Sequence, residues 1–210
     1  MKKGLIFLLL FSAMNAYSQD LKRLDFGISM GVATQRLNLK TYDKPNLPIP
    51  SIQKHGNGFD LLLMARYRFN KNLSFRVMPG VLFQDLALLY KSNDEIHIEK
   101  RGFVEATLPI HFVYNWQTKT RFVPSFIAGA NVAYNLEAGN EMNRMAINRT
   151  NFGVDVGLGG EIKFKKFNCR PELMYTFGNS NLSAPSNIPY NAIIRSLTRD
   201  RITLRLIFFG

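Results

Sequence analysis

The sequence predicts an all-β chain, an eight-stranded antiparallel up-and-down transmembrane β-barrel, and three observations carry that reading. Apolar and polar residues alternate with period two in segment after segment. The connections between those segments run long, short, long, short through the chain, the rhythm of outer loops and tight turns. No segment after the first residues approaches the ~18 consecutive apolar residues of a membrane helix.

The first strand, Leu24–Thr34, sets the pattern. Leu24, Phe26, Ile28, Met30 and Val32 share one face, and Asp25, Gly27, Ser29, Gly31 and Ala33 share the other. Bulk on one face and small or charged residues on the other suit a lipid-facing wall around a crowded interior. Residues 37–57 carry Pro45, Pro48 and Pro50 and are expected to form a long loop rather than a ladder strand. A second strand is expected near Gly58–Phe69, followed by a tight turn at Asn70-Lys71-Asn72. A third runs near Leu73–Asp85 with a bulge or break at Pro79. Residues 86–100 read as a second long connection in which the Ile96–Glu99 stretch extends the hairpin. The fourth strand, near Gly102–Asn115, sets Val104, Ala106, Leu108, Ile110, Phe112 and Tyr114 against Glu105, Thr107 and His111.

A short turn at residues 116–120 leads to the fifth strand, Arg121–Tyr134, and then to a long polar segment over 135–151. The sixth strand alternates most cleanly: Phe152, Val154, Val156, Leu158, Ile162 and Phe164 oppose Gly153, Asp155, Gly157, Gly159, Glu161 and Lys163. Lys165-Lys166 makes a minimal turn into the seventh strand, Phe167–Phe177. A last long connection, 178–198, precedes the eighth strand, Arg199–Phe209. Aromatic residues gather at strand ends, among them Phe69, Tyr114, Trp116, Phe122, Tyr134, Phe152, Phe164, Phe167 and Phe177, as interfacial girdles require.

Residues 1–18 have the form of a signal peptide: Lys2 and Lys3 precede the apolar stretch Gly4–Phe11, and Ala16-Tyr17-Ser18 offers small residues for cleavage. The expected mature chain, 19–210, is a single outer-membrane β-barrel domain with both termini periplasmic. A lone Cys169 excludes an intramolecular disulfide. The formal net charge of +12 is spread over turns, loops and one strand face, which argues against nucleic acid and for anionic outer-membrane lipid, lipopolysaccharide or an acidic partner.

If the small, polar face is the inner one, the charged residues pointing into the lumen are Asp60, Arg66, Arg68, Arg76, Glu105, His111, Asp155, Glu161, Lys163, Arg170, Glu172, Arg201 and Arg205. Both signs are present, so a salt-bridged, filled interior is expected rather than a pore. No catalytic, metal or cofactor site emerges. His55, His97 and His111 lie in no triad context, and no His and Cys residues have metal-ligand spacing. The glycines at 157, 159 and 160 sit in an alternating strand with no following helix, so they form no phosphate loop. The chain is therefore not expected to be an enzyme.

The ordered segments resemble the PorT family, outer-membrane β-barrel proteins of the Bacteroidetes type IX secretion system. The resemblance rests on Asp25-Phe26-Gly27, Leu108-Pro109-Ile110, Pro124–Asn131, Phe152–Gly159 and Pro171–Tyr175, and most specifically on Asn187–Asn191 with Ile193–Leu197. It implies a non-catalytic, cofactor-free part in exporting cargo, including gliding-motility adhesins, beside protein partners in a secretion translocon. An eight-stranded barrel is too narrow to pass a folded protein, so the implied part is accessory or assembly. Tyr190, Ile193, Ile194 and Leu197 are then candidate partner-docking residues, apolar yet expected in a loop. The competing expectation is a generic OmpA-like structural or adhesive barrel displaying its loops.

Overall fold

The computed structural model describes residues 23–42, 49–54, 56–92, 95–136, 148–183 and 194–210. The expected leader and two of the candidate docking residues, Tyr190 and Ile193, lie outside them. Ten strands form one antiparallel sheet: β1 (Leu24–Thr41), β2 (Ile49–Lys54), β3 (Gly56–Arg68), β4 (Leu73–Val77), β5 (Gly80–Ser92), β6 (Glu95–Asn115), β7 (Phe122–Asn135), β8 (Thr150–Lys163), β9 (Asn168–Gly178) and β10 (Ile194–Phe209). β1 pairs with β3 on one side and with β10 on the other, so the sheet closes on itself. β4 and β5 are one wall strand interrupted at Met78-Pro79, where proline can donate no ladder hydrogen bond. The closed ring therefore has eight staves, and β2 is an addition outside it.

The register fixes the shape. Stepping from partner to partner, the row from Arg66 passes through Arg76, His111, Gly129, Asp155, Thr176, Arg201 and Gln35 and returns to β3 at Gly56, ten residues from its start. That stagger tilts the strands by about 40° and leaves an interior that side chains can fill. Because the shift is even, each inward row stays inward around the whole ring.

The apolar face is the outer one. Phe26, Ile28, Met30, Val32, Leu63, Phe112, Leu158, Leu173 and Leu204 are all exposed, whereas Ser29, Asp60, Arg76, His111 and Thr203 are buried. Such a belt around a closed strand ring is the surface of a protein dissolved in lipid. Aromatic residues fringe it: Trp116, Phe122, Phe164 and Phe167 at the short-turn end, and Tyr134, Phe152 and Phe177 at the other. The tight turns are built locally. Asn70 Oδ1 accepts from the Asn72 and Leu73 amides at 2.8 and 2.7 Å, and Thr120 Oγ1 donates to the Phe122 carbonyl at 2.9 Å.

Several expected loops are strand instead. β1 continues to Thr41, and β10 begins at Ile194 rather than Arg199. The reason is that the pattern inverts where the wall leaves the bilayer. Leu37 and Leu197 point inward and are buried, while Arg36, Asn38, Ser196 and Thr198 take the outer positions. Leu197 is thus a core residue of β10 and no docking surface; Ile194 likewise belongs to a strand. Residues 86–92 and 95–100 pair with each other as the far half of the β5–β6 hairpin, which carries the extension at Ile96–Glu99 well past the expected length. Ile49–Lys54 pairs with β5 despite Pro50, which β2 tolerates because it stands at the end of the hydrogen-bonded order.

Leu204 lies midway along the outer face of β10 and is 56% exposed. Leu204→Arg is expected to destabilise the barrel by about 2–3 kcal/mol in lipid vesicles, the cost of an arginine near the bilayer midplane. Urea unfolding followed by tryptophan fluorescence measures it.

Candidate functional site: the ion-paired interior

The polar residues of the inner face form several ion-paired and hydrogen-bonded groups that together fill the interior. Among the described residues the buried charges are six arginines (Arg66, Arg76, Arg170, Arg199, Arg201, Arg205) and six carboxylates (Asp25, Asp60, Glu105, Asp155, Glu161, Glu172). Over the described residues the interior is charge-balanced and uses no lysine. Arginine suits it because a planar fork can grip a carboxylate with two hydrogen bonds while its long stem crosses a narrow space.

Three ion pairs span the lumen. Arg66 Nη1 on β3 reaches Glu161 on β8 at 3.0 Å, Arg76 on β4 grips Glu172 on β9 at 2.5 and 2.7 Å, and Arg199 on β10 meets Glu105 on β6 at 2.9 Å. In the ring of eight, each pair joins staves four places apart, that is, diametrically opposite ones. Arg66 and Glu161 lie close to the short-turn end, Arg76 and Glu172 near the middle, and Arg199 and Glu105 towards the other end. The three crossbars are stacked along the axis, each turned by one stave from the last.

Other pairs run along the wall, and glycine makes two of them possible. His111 on β6 and Asp155 on β8 are both register partners of Gly129 on the strand between. His111 Nε2 reaches Asp155 Oδ2 at 2.8 Å over that glycine. A Cβ at Gly129 would meet the Ile110 carbonyl at 2.0 Å and the His111 Cα at 2.8 Å. Likewise Arg205 on β10 reaches Asp60 on β3 at 2.8 Å over Gly31, where a Cβ would meet Asp60 Oδ1 at 2.7 Å. Arg76 Nε donates to His111 Nδ1 at 3.2 Å. Since Nδ1 accepts, Nε2 carries the proton given to Asp155, and a neutral imidazole links the Arg76–Glu172 crossbar to a second carboxylate.

Near the short turns, Arg66 also binds Asp25 at 2.7 Å, and Arg170 binds Glu161 at 2.7 Å and Asn115 at 3.0 Å. The Phe209 ring lies under the Arg66 guanidinium, 4.3 Å away. Two apolar clusters fill remaining space: Leu62, Met64, Met78, Ile207 and Phe209, and Val113, Ile127 and Met174. Of the residues expected in the lumen, Asp60, Arg66, Arg76, Glu105, His111, Asp155, Glu161, Arg170, Glu172, Arg201 and Arg205 are buried there. Arg68 and Lys163, the last residues of their strands, are exposed at the mouth. Asp25 and Arg199 were not expected as interior charges, although both share the parity of inward neighbours and could have been found by it. Among the described residues no group of His, Cys, Asp and Glu could hold a metal ion.

A closed ring of eight strands with an apolar outer belt and a polar, occluded interior defines a small membrane-spanning β-barrel. The chain belongs to the outer membrane protein beta-barrel domain family, which it matches over residues 13–184. Among solved structures it is similar to the outer membrane protein OprG of Pseudomonas aeruginosa, at 13% identity and a TM-score of 0.52, covering 89% of this chain and 95% of that one. It is also similar to Neisserial surface protein A, at 14% identity and a TM-score of 0.49, covering 87% and 95%. At 13% identity the likeness to OprG speaks to fold alone. No curated protein sequence matches the chain.

Glu172→Leu strands the Arg76 guanidinium in a closed interior and is expected to destabilise by about 3–5 kcal/mol. Arg76→Met with Glu172→Leu is expected to recover most of that loss. Urea titrations of both variants and the wild type test this; equal losses would mean the crossbar is not a coupled pair.

Proposed function

We propose that this protein is a non-catalytic, non-conducting outer-membrane barrel that serves export of cargo proteins across that membrane as an accessory or assembly subunit, the part implied by its PorT-like segments. In this reading the short turns and both termini face the periplasm. The observation that supports it is the stack of three transluminal ion pairs. A barrel closed at three levels offers no path to a folded protein, so a part in export has to be played through its ends and outer wall. The sequence segments at 187–191 and 193–197 supply the link to secretion.

A second reading, an OmpA-like structural or adhesive barrel, is favoured by a different observation. Beyond Gln84 and Glu105 the β5–β6 hairpin leaves its ring neighbours and takes β2 as a third strand. Ordered strands standing past the ring form a display surface.

Two measurements separate these readings. The purified barrel is expected to give no conductance above the membrane baseline in planar bilayers; steady single-channel currents would refute the occluded lumen. Deletion of the gene is expected to leave cargo in the periplasm and complementation to restore export. Normal export from the deletion strain would remove the secretion role and leave the display barrel.

A further inference from the structure

We propose that the short-turn end of the barrel is a binding site for an extended acidic peptide segment of a partner protein, whose carboxylates enter a basic cavity at the barrel mouth. The inference needs only the barrel and the charge at that end, so it stands or falls apart from the export role.

A cavity of about 470 Å³ opens inside the ring of strand ends at the short turns. Arg23, Arg66, Arg68, Lys71 and Lys163 line it together with Glu161, and Asp25 binds two of these cations, Arg66 at 2.7 Å and Arg68 at 3.1 Å. Its floor is the first crossbar, Arg66–Glu161. Glu161 is gripped by Arg66 and Arg170, at 3.0 and 2.7 Å, and with Asp25 it sets two carboxylates against the five basic side chains of the lining. The buried Arg170, which binds Glu161, leaves Nε and Nη1 without a hydrogen-bond partner among the described residues.

The imbalance is concentrated at this end. The six arginines and six carboxylates of the interior cancel, so the formal net charge of +12 is carried elsewhere. The three short turns add Lys71, Lys119, Arg121, Lys165 and Lys166 and hold no acidic side chain. The long connections, by contrast, carry both signs, with Asp43, Glu137, Glu141 and Asp94 among their residues. A one-signed rim around a cavity with low-dielectric walls focuses its field along the barrel axis and attracts anions into the mouth.

The shape selects the kind of anion. Phe122, Phe164 and Phe167 stand exposed on the outer wall, where lipid headgroups lie. The cavity is inside the ring, away from them. Its volume accommodates a few residues of extended chain, and cations on several separate elements suit carboxylates spaced along a backbone better than one compact ion.

The test uses the full barrel in nanodiscs of zwitterionic lipid and a fluorescein-labelled octaglutamate peptide, with octaglutamine as the neutral control. Fluorescence anisotropy is expected to show saturable binding of octaglutamate alone, weakening at least about tenfold from about 50 to about 300 mM salt. Lys71→Gln with Lys163→Gln is expected to weaken binding about fivefold or more, and Lys119→Gln with Lys166→Gln, outside the cavity, by less than about twofold. Heat-modifiable gel mobility checks that both variants are folded. Absence of binding, or equal loss in the two variants, would overturn the cavity as the site. Full displacement by millimolar phosphate or by phosphatidylglycerol vesicles would assign it to a phosphate group instead and overturn the peptide.

Discussion

The constraint on which this structure depends is that a backbone in hydrocarbon must satisfy all its own hydrogen bonds. An open sheet cannot do so, because its edges leave amides and carbonyls in lipid. Here β1 removes both edges by pairing with β3 and with β10. Once eight staves close with a ten-residue stagger, the interior is narrow, and the inner face must be small wherever neighbouring side chains cross it. Gly31 and Gly129 are placed by that rule: each lies on a middle strand whose two neighbours send polar side chains to meet above it.

The ion pairs then do more than fill space. Apolar residues of similar volume can stabilise an interior as well as buried ion pairs do, and the Leu62–Phe209 and Val113–Met174 clusters show that this barrel uses apolar filling too. What the crossbars add is register. A slip of one residue in any stave would turn its arginine or carboxylate out into lipid. Because each crossbar joins opposite staves, three of them tie together six of the eight around the ring. Arginine alone has the reach and the two-pronged geometry for such a span, which accounts for the lack of lysine among the buried charges of the described residues.

Alternation made the bilayer part of this wall legible, and the choice of inner face followed from residue size. Leu24–Val32 and Phe152–Leu158 present their large residues outward as read. The reading failed where the physics changed. Above the bilayer the outside is water, so Leu37 and Leu197 turn inward, and the amphipathic pattern reverses without the strand ending. A search for one continuous apolar face stops at that reversal and takes the remainder for loop. Pro50 misled for another reason: proline is barred from a central strand, but β2 is an edge. Parity placed most interior charges correctly, yet it could not say that Arg76 meets Glu172. Partners 96 residues apart become neighbours only through closure of the whole ring.

Closure of the interior also decides where this molecule can meet others. With the interior crossed by ion pairs at three levels, the surfaces open to other molecules are the two ends and the outer belt. The ends differ in kind. One is a set of compact turns, pinned by side chains such as Asn70 and carrying only basic charge around a cavity. The other extends the wall as ordered strands of mixed charge, with β2 added to the β5–β6 hairpin. Short turns cannot reach far from the membrane, so a partner at that end has to bring its own chain to the mouth. The extended hairpin can carry its surface outward to a partner. The barrel thus presents two different faces on opposite sides of one membrane, and the crossbars that span its interior also hold those faces in fixed register.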